Sequence, residues 1–437
     1  MRESRSGGTD AMTEKPRVLR PNRAQLEMRP SDLESLLPED HRARVIWDFV
    51  EALDLSALYE GIRSVEGHAG RPAIDPAILV TLWIYATSEG VGSARALERL
   101  CESHDAYRWI CGGVEVSAHT LSDFRVRHGT VLDDLLTQSV GRLMAEGLVD
   151  LSYVSQDGIR VRASAGAASY RRRQKLRICL REAGKQVERL RRELDDDPGS
   201  LSRREAAARE RAARDRQRRV RQALEQMEKD EQERQEREKE RSNERGRQEP
   251  RVSTTDPQAR VMRMADGGYR PAYNGQLATD APSQIVVAVD VTRRGVDYGQ
   301  LAPMQAQIEQ RYGRSPGAML VDGGFASKAD IDAVEGSGCR LYAPPMKRPR
   351  PQRAYDRRRP WDDTPAVARW RRRMKTSRAK QRYRLRAATS ECVNAIARNR
   401  GLDRFRVRGI EKARAILVWY ALAHNALRGL SLRMAET

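Results

Sequence analysis

The sequence predicts a mixed α/β core interrupted by a long helical arm and preceded by an all-α domain. Three observations carry this. Apolar residues recur at three- and four-residue steps between residues 38 and 145, short β-branched segments lie on both sides of residues 166–251, and that stretch itself holds a heptad seam.

Residues 1 to about 37 are polar, rich in Arg, Pro and Ser, and aperiodic, so they are expected to form a disordered basic tail. From there to residue 145, Val45, Ile46, Phe49, Val50 and Leu53, then Ile78, Leu79, Leu82, Trp83 and Tyr85, give a helical N-terminal domain. Tyr153 to Val161 reads as a strand with Asp157 and Gly158 inside it. Leu176, Leu180, Ala183, Val187, Leu190 and Leu194 then form the heptad seam, and Asp195 to Ser200 breaks that helix. A second helix, from about Leu201 to Arg247, carries Val220, Leu224 and Met227 as a sparse apolar stripe, so the pair reads as an antiparallel coiled-coil arm over 166–251. Its charge run suits a solvated surface, self-association or a lever embracing a polyanion.

Strand signals return at Tyr273 to Thr279 and Ile285 to Val289, joined by a turn at Asp280 to Ser283. A helix follows with Asp297 as its expected cap and Leu301, Met304 and Ile308 inward. The strand Ala318 to Val321 ends at Asp322-Gly323-Gly324, a helix opens at Ser327 with Ile331 and Val334 inward, and Arg340 to Ala343 is one more strand. A basic insertion over 346–380 precedes a helix expected from about Arg382 to Arg398, which carries Glu391, and an apolar helix, Ala413 to Leu427, closes a core domain spanning 146–430. Residues 347–386 hold 17 Lys or Arg against 3 Asp, interleaved with Tyr355, Trp361, Trp370 and Tyr383, a composition suited to a nucleic-acid backbone. Base stacking by Trp361 and Trp370 competes with ordinary packing, the commoner role.

The formal charge of +20 over 437 residues favours a polyanionic partner. The longest apolar runs, such as Ala77 to Ala86, are far shorter than the ~20 residues that span a bilayer, and no apolar leader follows Met1, so an intracellular protein away from membranes is expected. The five cysteines are scattered without zinc-ligand spacing, and His68, His104, His128 and His424 are isolated. A metal here would take oxygen ligands, which favours Mg²⁺ or Mn²⁺. Asp157 within one strand and Asp322 at the exit of another, with a third carboxylate from a helix, could hold two such ions about 3.5–4 Å apart for in-line phosphoryl transfer. Spacing alone leaves Asp256, Asp266, Asp280 and Asp290 as rivals.

The segment Tyr383-Arg384-Leu385-Arg386-Ala387-Ala388-Thr389-Ser390-Glu391, followed by Arg398, resembles the Tyr-Arg-Glu-Lys signature of bacterial insertion-sequence DDE transposases. Ser253 to Pro257, Gly268 to Asn274, Val321 to Phe325, and Asp157-Gly158 with Val161-Arg162 are similar to other segments of that family. Gly70 to Pro76, Ser93 to Arg99 and His119 to Arg125 resemble its N-terminal DNA-binding domain. Cys392-Val393-Asn394 depart from the expected Pro and aromatic, and Arg398 replaces the usual Lys.

The resemblance implies an RNase H-like core in which Asp157, Asp322 and Glu391 are catalytic and hold two Mg²⁺ or Mn²⁺ ions. It implies that Tyr383, Arg386 and Arg398 grip phosphates, and that His119, Thr120, Ser122 and Arg125 face DNA from a helix-turn-helix-like unit. The partners implied are double-stranded DNA, as terminal repeats and target, and further copies of the chain, at least a dimer in the synaptic complex, in the bacterial cytoplasm at the nucleoid. An RNase H-like nuclease without strand transfer and a non-catalytic DNA-binding protein are the competing readings.

Overall fold

A computed structural model describes residues 32–64, 72–196, 202–240, 249–345 and 363–436, with the single positions 24 and 67. Residues 34–37 of the expected tail are folded. Glu34–Leu36 form a 3₁₀ turn, Leu37 is buried, and Glu34 pairs with Arg44 and accepts from Trp109 Nε1 at 3.1 Å. The remainder of that tail, save position 24, lies outside the described residues.

The N-terminal helices are α1 (Arg42–Glu51), α2 (Ser56–Tyr59), α3 (Pro76–Ser88), α4 (Ala94–Ser103), α5 (Asp105–Cys111), α6 (Ala118–Arg127) and α7 (Gly129–Ala145). Asp75 caps α3 by accepting from Ala77 N, and Pro76 takes the first position, where its missing N–H costs nothing. From Ile78 to Ser88 every residue of α3 is buried, which makes it the central helix of this unit. The helices expected as a helix-turn-helix pair, α4 and α6, are separated by α5.

The sheet contains β1 (Val154–Arg162), β4 (Arg260–Arg263), β5 (Tyr269–Asp280), β6 (Val286–Thr292), β7 (Ala318–Leu320) and β8 (Arg340–Tyr342). β1 runs antiparallel to β5 and parallel to β7, β8 extends the parallel side, and both β4 and β6 pair with the long β5 at the other side. This is the mixed sheet that an RNase H-like core requires. The segments β2 (Tyr170–Arg171) and β3 (Val252–Ser253) pair at the root of the arm.

The arm is α8 (Arg173–Asp196) against α9 (Arg203–Glu240). Contacts of Arg173 with Glu231 at 2.5 Å and of Arg191 with Glu210 at 3.8 Å fix the antiparallel arrangement. Leu176, Ala183 and Val187 are buried as the seam predicts; Leu180, Leu190 and Leu224 are only partly so, and Ala213 and Ala223 complete the opposite face. The Leu194 side chain and most of the Asp195–Ser200 break lie outside the described residues.

Beyond β6 come α10 (Leu301–Tyr312), α11 (Lys328–Gly336), α12 (Pro365–Lys375), α13 (Ser377–Tyr383), a π turn over Ala387–Glu391, α14 (Cys392–Asn399) and α15 (Ile410–Glu436). Three expectations need correction. Asp297 does not cap α10 through its side chain, since its carboxylate accepts from Asn274 Nδ2 at 2.7 Å and Gln276 Nε2 at 2.8 Å on the sheet. Residues 365–380 of the expected basic insertion are helices packed on α11 and β8, with Trp370 and Met374 buried and Arg373 paired with Glu335. Residues 346–362, with Tyr355 and Trp361, lie outside the described residues. The continuous helix expected from Arg382 to Arg398 is instead interrupted by the π turn.

α15 joins the two halves. Leu417 packs over Gly275 of β5, Asn425 bonds both N–H and C=O of Val286, and Trp419 Nε1 donates to the Arg125 carbonyl at 3.0 Å. One hydrophobic cluster therefore runs from α1 through the sheet. Among the described residues, no helix is long and apolar enough to cross a membrane.

Candidate active site

β1 and β7 are parallel, with Val154 opposite Met319 and Ser155 opposite Leu320. Two residues further on, each segment reaches an aspartate, Asp157 still within β1 and Asp322 just past the end of β7. Ser155 and Asp157 share one face of β1, and the charge of Asp322 reaches Asp157 there. Asp322 closes its own turn by accepting from Gly324 N at 2.7 Å, and a Cβ on Gly324 would stand 2.9 Å from that carboxylate oxygen. Gly158 is needed for the opposite face, where a Cβ would collide with Asp297 Oδ1.

The π turn packs over this face. Ser390 Oγ and Ser155 Oγ lie 2.5 Å apart, and Ser155 is two residues before Asp157 on the same side of β1. Along a regular α-helix, Glu391 would sit about 140° around the axis from Arg386. The i→i+5 bonding of a π turn brings the fifth residue back toward the first. The outcome is Arg386 between two carboxylates, with Nη2 at 3.1 Å from Asp157 Oδ1 and Nη1 at 3.9 Å from Glu391 Oε1. Asp157 is mostly buried, whereas the Glu391 side chain is 66% exposed.

Burial pushes the Asp157 carboxyl up from its ordinary value, Arg386 and the Gly158 N–H oppose this, and the charges of Asp322 and Asp297 add to it. Asn394 was not anticipated as a functional residue. It is buried, donates to Asp157 Oδ2 at 3.0 Å, and leaves its own Oδ1 without a partner. Its signal in the sequence was its place three residues after Glu391, one helical turn along. Burial raises the Tyr383 hydroxyl, which feels Arg386, Asp322 and Asp157. Arg398 is exposed in the last turn of α14, two turns beyond Glu391, and is not drawn into this group.

The rival acids hold structural positions. Asp256 accepts from Tyr273 Oη and Gly409 N; Asp280 accepts from Ser283 and Leu151 N; Asp266 pairs with Arg270 on the surface; Asp290 faces Arg414 at 3.6 Å.

Residues 31–127 match the family described as Transposase domain (DUF772), and residues 249–426 match that described as Transposase DDE domain. The chain belongs to the insertion-sequence DDE transposases. No curated protein and no solved structure matches it. DDE transposases act on DNA by phosphoryl transfer and use divalent metal ions.

The donor set of this transposase suits such an ion, since Asp157, Asp322 and Glu391 offer only hard oxygen, and the Arg386 guanidinium stands as a cation between two of them. Among the described residues no three acidic, His or Cys side chains converge to chelating distance. In the N-terminal domain, His119 is exposed beside Asp123, Thr120 is held by Ser117, and Ser122 is partly exposed. Arg125 was expected to face DNA, but it is buried, with Nη1 donating to Gly92 O at 2.6 Å and its guanidinium over the Trp83 ring. It is a packing residue.

Proposed function

We propose that this transposase binds the terminal repeats of an insertion sequence, cleaves phosphodiester bonds at its ends and joins the freed 3′-hydroxyls to target DNA. Asp157, Asp322 and Glu391 would hold two Mg²⁺ ions. The observation that carries this reading is Asp157 in β1 beside Asp322 at the exit of the adjacent parallel β7, with Arg386 bridging Asp157 to Glu391. Bound there, the ions supply Lewis acidity to the attacking and leaving oxygens.

The chain's own residues do the rest. Asn394 and the Gly158 N–H fix the orientation of the Asp157 carboxylate from two sides. Arg386 neutralises Asp157 and Glu391 in the free protein and turns to the DNA phosphate when the site is loaded, with Tyr383 beside it. Arg398, His119, Thr120 and Ser122 are exposed enough to meet phosphates further along the duplex. Two copies of the chain, one per element end, assemble the synaptic complex.

The test is a single-turnover assay with labelled end-repeat duplex, target plasmid and Mg²⁺. Asp157→Asn, Asp322→Asn and Glu391→Gln are each expected to abolish cleavage and joining while duplex binding persists. Joining that survives in these variants overturns the assignment, cleavage without joining points to a nuclease, and binding alone to a non-catalytic protein.

A further inference from the structure

A cleft of about 810 Å³ opens between the N-terminal helices and the core, away from the carboxylates. One wall is the start of α4 and the exposed side of α6, with Arg95, His119 and Ser122; the other is the loop carrying Arg404 and Arg406. Along that loop Leu402, Phe405 and Val407 are buried while Arg404 and Arg406 are exposed, so packing holds both guanidinium groups on the cleft side. Among its described lining residues Asp403 is the single acid, and no described carboxylate forms an ion pair with Arg95, Arg404 or Arg406. Arg125 backs the cleft; it is 7% exposed, its Nε has no partner, and burial, with a smaller push from the Arg406 charge, lowers its pKa to about 10. Like charges gathered without counter-ions in a folded cleft mark a place where an external anion supplies the missing charge.

The cleft is also tied to the active site by the chain itself. Arg162, at the end of β1, bridges to Arg404, with its N–H donating to Asp403 O at 3.0 Å and its carbonyl accepting from Phe405 N at 2.8 Å. Asp157 lies five residues back on the same strand, about 16 Å away at the usual rise. That length corresponds to about five base pairs of duplex.

We propose that Arg95, Arg404 and Arg406 bind backbone phosphates of duplex DNA about five base pairs from the cleaved bond, so that the DNA is gripped by both domains at once. This rests on the DNA-cleaving reading above. It adds core-domain residues to recognition and gives the interdomain cleft its occupant.

The experiment is fluorescence anisotropy of a labelled end-repeat duplex across a salt series, comparing the wild type with Arg404→Ala/Arg406→Ala and with the charge-keeping Arg404→Lys/Arg406→Lys. Each phosphate contact contributes about 0.9 to the slope of log K against log salt. The Ala pair is expected to lower that slope by about 2 and to weaken binding at least about tenfold, whereas the Lys pair keeps most of the slope. Ethylation of phosphates about five base pairs from the cut should impair the wild type and leave the Ala pair indifferent. An unchanged slope, or ethylation interference elsewhere only, overturns the cleft assignment. Failure of the wild type to cleave this duplex overturns the proposed function instead and leaves the slope comparison readable. Competition by inorganic phosphate that equals competition by unlabelled duplex, mole for mole, contradicts a DNA-specific cleft.

Discussion

Asp157 is pulled in two directions: burial and two neighbouring carboxylates favour its neutral form, and Arg386 with Asn394 favours the ionised one. Carboxyls held in such tension concentrate where chemistry occurs. Asn394→Ala removes a fixed donor from Asp157 without touching the three acids, and is expected to weaken divalent-ion affinity about 10- to 100-fold, as measured by the metal concentration that gives half-maximal cleavage. His424 makes a separate prediction about stability. Its ring is buried, Nε2 lies 2.8 Å from the Gln284 carbonyl, and burial lowers its pKa from 6.5 to about 4. The neutral ring's contribution is therefore complete above pH 6.5 and is lost as pH falls toward 4, by roughly 3 kcal/mol at most. Urea midpoints at pH 7 and 4.5 should separate less in His424→Gln than in the wild type. At this scale the sequence was partly legible. Asp322 announced itself by its Gly-Gly exit, but the dismissal of Asp256 and Asp280 needed Gly409 and Leu151 brought to them by long-range folding.

The decisive element is the π turn at Ala387–Glu391. It holds one residue more than an α turn would, and that residue swings Glu391 toward Arg386. Insertion of one alanine after Ala388 should rotate Glu391 away from Arg386 by about 100°. Cleavage is then expected to fall by about 100-fold or more while duplex binding stays within about threefold. Unchanged cleavage would show that the turn is incidental. Periodicity could not reveal this turn, because Tyr383, Glu391 and Arg398 also satisfy the spacing of a plain α-helix. The strand β6 was legible for the opposite reason, since burial on both faces leaves a run of β-branched residues. β4 escaped because Arg260 and Arg263 flank its buried Met262 at a sheet edge.

Across the whole molecule, the helical domain and the sheet share one core through α15, while the arm is pinned at its root. Asp230 of α9 receives Arg260 at 2.7 Å and Arg293 at 2.8 Å, all three largely buried. Asp230→Ala leaves two arginines without their shared anion, so hydrogen exchange in the adjoining turns of α9 should accelerate while β1 and β5 keep their protection. Composition suggested a polyanionic partner and the heptad seam an arm, but neither showed that α15 would weld the domains, because Trp419 and Asn425 gain their meaning only from partners well over a hundred residues away. The metal-holding role proposed for the three carboxylates, from β1, the exit of β7 and the π turn, is the feature on which the whole function depends. Its most direct measurement is Mn²⁺ binding by electron paramagnetic resonance in the protein–duplex complex. The wild type is predicted to bind two ions per chain, with affinity lost in Asp157→Asn, Asp322→Asn and Glu391→Gln. Equal Mn²⁺ binding by the wild type and all three variants would contradict it.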